Sequence, residues 1–110
     1  MSAVFRGFWH YFSRGSIRAA SSVTFTYTVA ASHTFNLERV WASASGKIKV
    51  VVQNGATNIY TGFNSTANPN IDITVMSPPT IAAAGTVNVI ITNDDLLAMD
   101  VYCTIEGNQN

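Results

Sequence analysis

From Val23 to Val29 every second residue is apolar and every intervening one is a threonine: Val23, Phe25, Tyr27 and Val29 alternate with Thr24, Thr26 and Thr28. A period of two belongs to a strand with one buried and one wetted face, and β-branched and aromatic side chains suit such a surface. The pattern recurs down the chain. Ile48, Val50 and Val52 share one face of a strand over 47–53, with Val51 on the other, and 57–63 returns as a strand with Ile59 and Tyr60 as its bulky residues. Ile71, Ile73 and Val75 alternate with Asp72, Thr74 and Met76; Val87, Val89 and Ile91 form one face, with Ile90 opposite. Met99, Val101, Cys103 and Ile105 define a last strand, with Tyr102 and Thr104 outward. Residues 37–44 alternate in either of two phases, with Val40, Ala42 and Ala44 inward or with Leu37, Arg39 and Trp41 inward.

Turn chemistry separates these runs. Ser45-Gly46 is a short turn, Asn54-Gly55 a hairpin signal because both residues tolerate positive φ, and Asn93-Asp94-Asp95 a further turn. Trp41 and Val51 suggest that the second face of a 37–53 hairpin is partly covered. Ser77-Pro78-Pro79 breaks a ladder, since proline donates no hydrogen bond. Short strands spaced by roughly 8–12 residues, with no helical pattern among them, predict an all-β fold. The expected architecture is a two-sheet antiparallel β-sandwich, jelly-roll-like, over residues 21–110.

Residues 1–20 are expected to be a separate N-terminal arm. They hold Arg6, Arg14 and Arg18 and no acid, whereas the remainder holds Arg39, Lys47 and Lys49 against six acids, so a net charge of zero hides an asymmetry. Phe5, Phe8, Trp9 and Phe12 fall at helical spacing, although Gly7 and Gly15 oppose a robust helix. Four readings are open: an arm folded over its own core, an arm docked on another subunit, a membrane-surface segment, or an organelle transit peptide. The favoured contact residues are Phe5, Arg6, Phe8, Trp9, Phe12 and Arg14.

Only 11% of the 110 residues are charged, against about 25% in ordinary soluble domains. A surface made of Ser, Thr and Asn suits packing in an assembly, and equally an extracellular sandwich. Cys103 is the single cysteine, so no intrachain disulfide forms, and its alternation with Val101 and Ile105 marks it as a buried small hydrophobe. No apolar run is long enough for a membrane-spanning helix, and no secretory leader is expected, because Arg6, His10 and Arg14 break the N-terminal apolar stretch.

No catalytic set is legible. His10 and His33 stand apart, and no nucleophile elbow or glycine-rich phosphate loop occurs. One cysteine and two distant histidines do not make an ordinary structural zinc site. Asn93, Asp94, Asp95 and Asp100 offer oxygen ligands for calcium, but Asn-Asp-Asp between two strands is the simpler turn. The expectation is a protein that is not an enzyme and carries no cofactor or metal.

Ahead of the strand at 71–76 runs a polar loop in which Asn64, Ser65, Thr66, Asn68 and Asn70 surround Pro69. Such side chains bond their own backbone and hold a turn without a ladder. The loop is either a connection or a contact surface, with Asn64, Ser65, Asn68 and Asn70 as the contact residues. Asn64-Ser65-Thr66 also matches the glycosylation pattern.

Three stretches, Ala44 to Val50, Gly62 to Ile73 and Val101 to Gly107, are where the chain resembles the small β-sandwich cement or decoration proteins of tailed bacteriophage heads. The resemblance implies a non-enzymatic virion protein on the capsid surface that binds the major capsid protein as a homodimer or homotrimer and stabilises the head. It also implies terminal arms bridging subunits. No nucleic-acid or membrane partner is expected, because the basic patch and the apolar face of the N-terminal segment are both short. Fibre and neck proteins share that class of fold. The alternative function is a carbohydrate-binding module using Trp41, Tyr60, Asn64 and Asn68. Deleting residues 1–20 is expected to leave a folded domain.

Overall fold

The structure is a computed structural model that describes residues 5–65, 67–74 and 79–110, with the backbone alone for residues 5–9. Val75, Met76, Ser77, Pro78 and Thr66, used in the sequence reading, lie outside the described residues. The described residues form β1 (Phe5–Ile17), β2 (Ser22–Thr28), β3 (Phe35–Ala44), β4 (Ile48–Asn54), β5 (Thr57–Phe63), β6 (Asn70–Thr74), β7 (Thr80–Ile81), β8 (Thr86–Asn93) and β9 (Met99–Gln109).

Two antiparallel sheets pack face to face. The first runs β1–β9–β3–β6, with β7 also on β3, and the second runs β2–β8–β4–β5. β6 and β7 lie along the same side of β3, pairing Val40 with Ile73 and Phe35 with Ile81. Counted as one interrupted strand, they leave eight strands in nested pairs: first with last, second with second-last, third with sixth, fourth with fifth. That nesting, rolled into two sheets, is a jelly roll.

The alternation read from the sequence is the core. Val23, Phe25 and Tyr27 of β2, Val50 and Val52 of β4, Val87, Val89 and Ile91 of β8, and Val101, Cys103 and Ile105 of β9 are all buried between the sheets. The hairpin closes where Asn54 pairs with Thr57, and Gly55 takes the positive φ of 61° that the turn requires.

Both phases of β3 turn out to be used. Opposite β9, Leu37 faces Gly107 and Arg39 faces Glu106, which leaves Glu38 as a bulge. The extra residue flips the alternation. Phe35 and Leu37 point inward before it; Val40, Ala42 and Ala44 point inward after it, and Arg39 and Trp41 are sent out. β3 and β4 are not a hairpin, because the Ser45-Gly46 turn crosses from one sheet to the other. Trp41 and Val51 therefore lie on opposite sides of the sandwich rather than under one cover.

The basic aromatic segment is a strand of the first sheet rather than an arm beside it. β1 pairs with β9 from Phe5 opposite Gln109 to Ile17 opposite Met99. Aromatic residues are good strand formers, Gly7 and Gly15 weaken a helix, and β9 supplies a long edge to pair with. Register shifts between Phe5 and Phe8 and between Arg14 and Ile17 each add a residue and break the period of two, which hid the strand from a periodicity reading. Phe12 stacks on Phe25 at 5.3 Å and the His10 ring lies tilted against Tyr27 at 4.4 Å, closing the β1–β2 side of the sandwich.

Candidate functional site

Four connections meet at one end of the sandwich: 18–21, 45–47, the described residues 64–65 and 67–69, and 94–98. Ala20 N donates to Asn93 O at 2.9 Å, and Asp94 N to Lys47 O at 2.9 Å. Asn93 is fully buried; its Nδ2 donates to Ile17 O and Leu97 O, both at 2.8 Å, and its Oδ1 accepts from Asp95 N at 2.8 Å. Asp95 in turn accepts from Leu96 N at 2.8 Å and Lys47 N at 3.2 Å. Those two donors, Leu96 first, hold its carboxyl below the ordinary 3.8. Gly46 packs so close that a Cβ there would sit 2.6 Å from the Asp95 carboxylate.

The outcome is a fixed loop that holds its apolar residues in water. Leu96 is 89% exposed and Leu97 77%, and Phe63, at the same end of β5, is 66% exposed. Each such side chain forgoes about 1.5–3 kcal/mol of burial. The hydrogen bonds of Asn93 and Asp95 thus lie beneath two exposed leucines.

A second surface lies on the outer face of the first sheet. Strand pairing aligns Tyr11, Thr104, Trp41 and Asp72 in one row, and Ser13, Tyr102, Ser43 and Asn70 in the next. Tyr11, Trp41, Tyr102, Arg39, Asn70 and Asp72 line a groove of about 360 Å³. Arg39 Nε donates to Asp72 Oδ1 at 2.8 Å, its Nη2 donates to Oδ2, and its guanidinium lies 4.0 Å from the centre of the Trp41 ring. The hydrogen bonds from Arg39 hold the Asp72 carboxyl below its ordinary value. Both side chains are solvated, so the pair orients the groove more than it stabilises the fold. The rings of Tyr11 and Tyr102 lie 6.5 Å apart and within 20° of parallel.

The residues singled out from sequence are dispersed. Phe12 packs against the core, and Arg14 is exposed on β1. Phe5, Phe8 and Trp9 hold register positions on β1, Arg6 falls in the shift between Phe5 and Phe8, and the side chains of all four lie outside the described part. Asn64 is a clamp: its Oδ1 accepts from Ile48 N at 2.7 Å and its Nδ2 donates to Gly46 O at 2.8 Å and Pro69 O at 3.2 Å. Ser65 and Asn68 bond each other's backbone, and Asn68 Oδ1 accepts from Asn70 N at 3.4 Å. Asn70 alone of the four reaches the groove.

Trp41, Tyr60, Asn64 and Asn68 are not brought together as one glycan site, because Tyr60 belongs to the other sheet. Asn93 and Asp95 are spent on backbone groups, and Asp100 accepts from Ser16 N on β1. Burial pushes the Cys103 thiol up to about 12, so it is inert packing. Tyr102 was set outward by its phase but given no role, and Tyr11, Arg39, Leu96 and Leu97 were missed as surface groups. The available signals were the outward phase of Tyr102 and two adjacent leucines directly after a turn.

No family model and no curated protein sequence matches the chain. Among solved structures it is similar to PirA at 12% identity and a TM-score of 0.51, over 90% of this chain and 92% of that one. It is also similar to the virus-like particle protein of extra small virus from the giant freshwater prawn Macrobrachium rosenbergii, at 22% identity and a TM-score of 0.41, over 90% and 79%. A third likeness is to the carbohydrate-binding module CBM29-2, at 9% identity and a TM-score of 0.42, over 97% and 72%. At these identities the PirA likeness shows a shared sandwich fold and nothing about activity, and the other two carry no argument.

Proposed function

We propose that the chain is a non-enzymatic structural protein of a virion, a cement or decoration subunit on the capsid surface whose loop end docks on the major capsid protein. The observation that carries this reading is the pair Leu96 and Leu97, held out in water on a loop that buried Asn93 fixes from below. A loop stiffened before contact loses little conformational entropy on docking. Phe63 extends the apolar surface at that end. The low content of charge supports life inside an assembly, where a strongly charged surface would repel its neighbours. β5 supplies a route to a homodimer or homotrimer: it is an edge strand without charge or proline, exposed at every position but Gly62. The bulge between Asn58 and Tyr60 blunts its hairpin end and leaves Tyr60 to Phe63 in a regular ladder.

The test is co-sedimentation with purified shells of the source virus stripped of this protein. Wild type binds, and a Leu96→Ser, Leu97→Ser double variant keeps its melting temperature and binds at least about tenfold more weakly, as loss of buried leucine contacts requires. Undiminished binding by the double variant contradicts the docking end. Binding to tails and not to heads moves the protein to the neck or fibre.

A further inference from the structure

We infer that the groove on the outer face of the first sheet binds a neutral carbohydrate chain, a role separate from the docking end. The groove joins the two chemistries that such a ligand needs. Tyr11, Trp41 and Tyr102 are 57%, 42% and 40% exposed, so ring surface is offered to solvent rather than to the core. The face of an aromatic ring is electron-rich, and the C–H bonds on one side of a pyranose present the complementary weakly positive, apolar surface. Asn70, Asp72, Ser43 and Thr104 lie among those rings and supply donors and acceptors for hydroxyl groups. A pocket of mostly apolar lining with a few placed polar groups is how small polar ligands are oriented, and 360 Å³ admits a short oligosaccharide.

Charge selects the ligand further. Among the described residues Arg39 is the one cation lining the groove, and Asp72 neutralises it through two hydrogen bonds. An anionic sugar would have to displace that carboxylate, whereas a neutral one uses the free lone pairs of Asp72. Trp41 owes its place to the Glu38 bulge, and the Arg39 guanidinium over one face of its ring fixes the ring plane. The aromatic residues sit on β1, β9 and β3, in adjacent strands, so the rings form a track across the strands rather than along one of them.

The test is a glycan array probed with the full chain, carrying neutral glucans, mannans, xylans and N-acetylglucosamine polymers beside sialylated and sulfated glycans. The neutral oligosaccharide that scores highest is then titrated by calorimetry. The expected result is binding to a neutral glycan that Trp41→Ala and Tyr102→Ala each weaken at least about tenfold. The Leu96→Ser, Leu97→Ser variant binds it unchanged, which separates this site from the docking end. If Trp41→Ala melts early, Tyr102→Ala and Tyr11→Ala decide the matter. A blank array, binding confined to charged glycans, or binding indifferent to the ring substitutions would overturn the inference.

Discussion

Asn93 has no exposed surface, and its side-chain amide serves two carbonyls and one N–H. An alanine there leaves those backbone groups without that partner at a buried corner where β8 meets β9. The expected cost is about 3 kcal/mol, read as a fall of about 10–20 °C in melting temperature. An Asn93→Ala variant that melts with wild type would show that the 94–98 loop is held by something else. Asp95 works in the same corner with the sign of a depressed acid. Its contribution is present above the ordinary aspartate value of 3.8 and is lost as pH falls through its lower folded value. The turn at 93–95 was legible in the sequence because Asn and Asp so often bond their own backbone. Its second role was not, because the partners Ile17 and Leu97 lie 76 residues upstream and four downstream. Asn64 teaches the same lesson: composition marked it as a surface amide, and the fold spends both ends of it on backbone.

At the scale of elements, β1 decides how separable the N-terminus is. It covers β9 along its length and contributes Ile17 to the core and the Phe12 ring to the stack on Phe25. A chain beginning at Ser21 would expose the backbone edge of β9 and the rings of Phe25 and Tyr27. It is expected to lose its cooperative melt or to aggregate in calorimetry and light scattering. A truncated chain as stable and monodisperse as the full one would restore the picture of a detachable arm. The elements that keep a strict period of two, β2, β4, β8 and β9 as far as Ile105, were readable directly; the polar composition of 106–109 hid the end of β9. β1 and β3 were hidden or ambiguous because bulges shift their phase, and a bulge leaves no mark in a hydrophobicity pattern. The same bulge at Glu38 sends Arg39 and Trp41 outward, so the step that blurred the strand also made the groove.

For the whole molecule, nested pairing sets where each surface falls. Rolling eight strands into two sheets gathers alternate connections at one end, which places 94–98 beside 45–47 and Asn64. It leaves the outer face of the first sheet open at the side. An all-β sandwich followed from turn spacing and alternation alone. The groove did not, since Tyr11, Trp41, Asp72 and Tyr102 become neighbours only through the strand order β1–β9–β3–β6. In the proposed docking the loop end, and not the sheet face, touches the shell. The most direct measurement is photo-crosslinking of shell-bound protein carrying benzoyl-phenylalanine at position 96 or, separately, at position 102. Adducts with the shell protein are expected from position 96 and none from position 102. Adducts from position 102 with none from position 96 would contradict it.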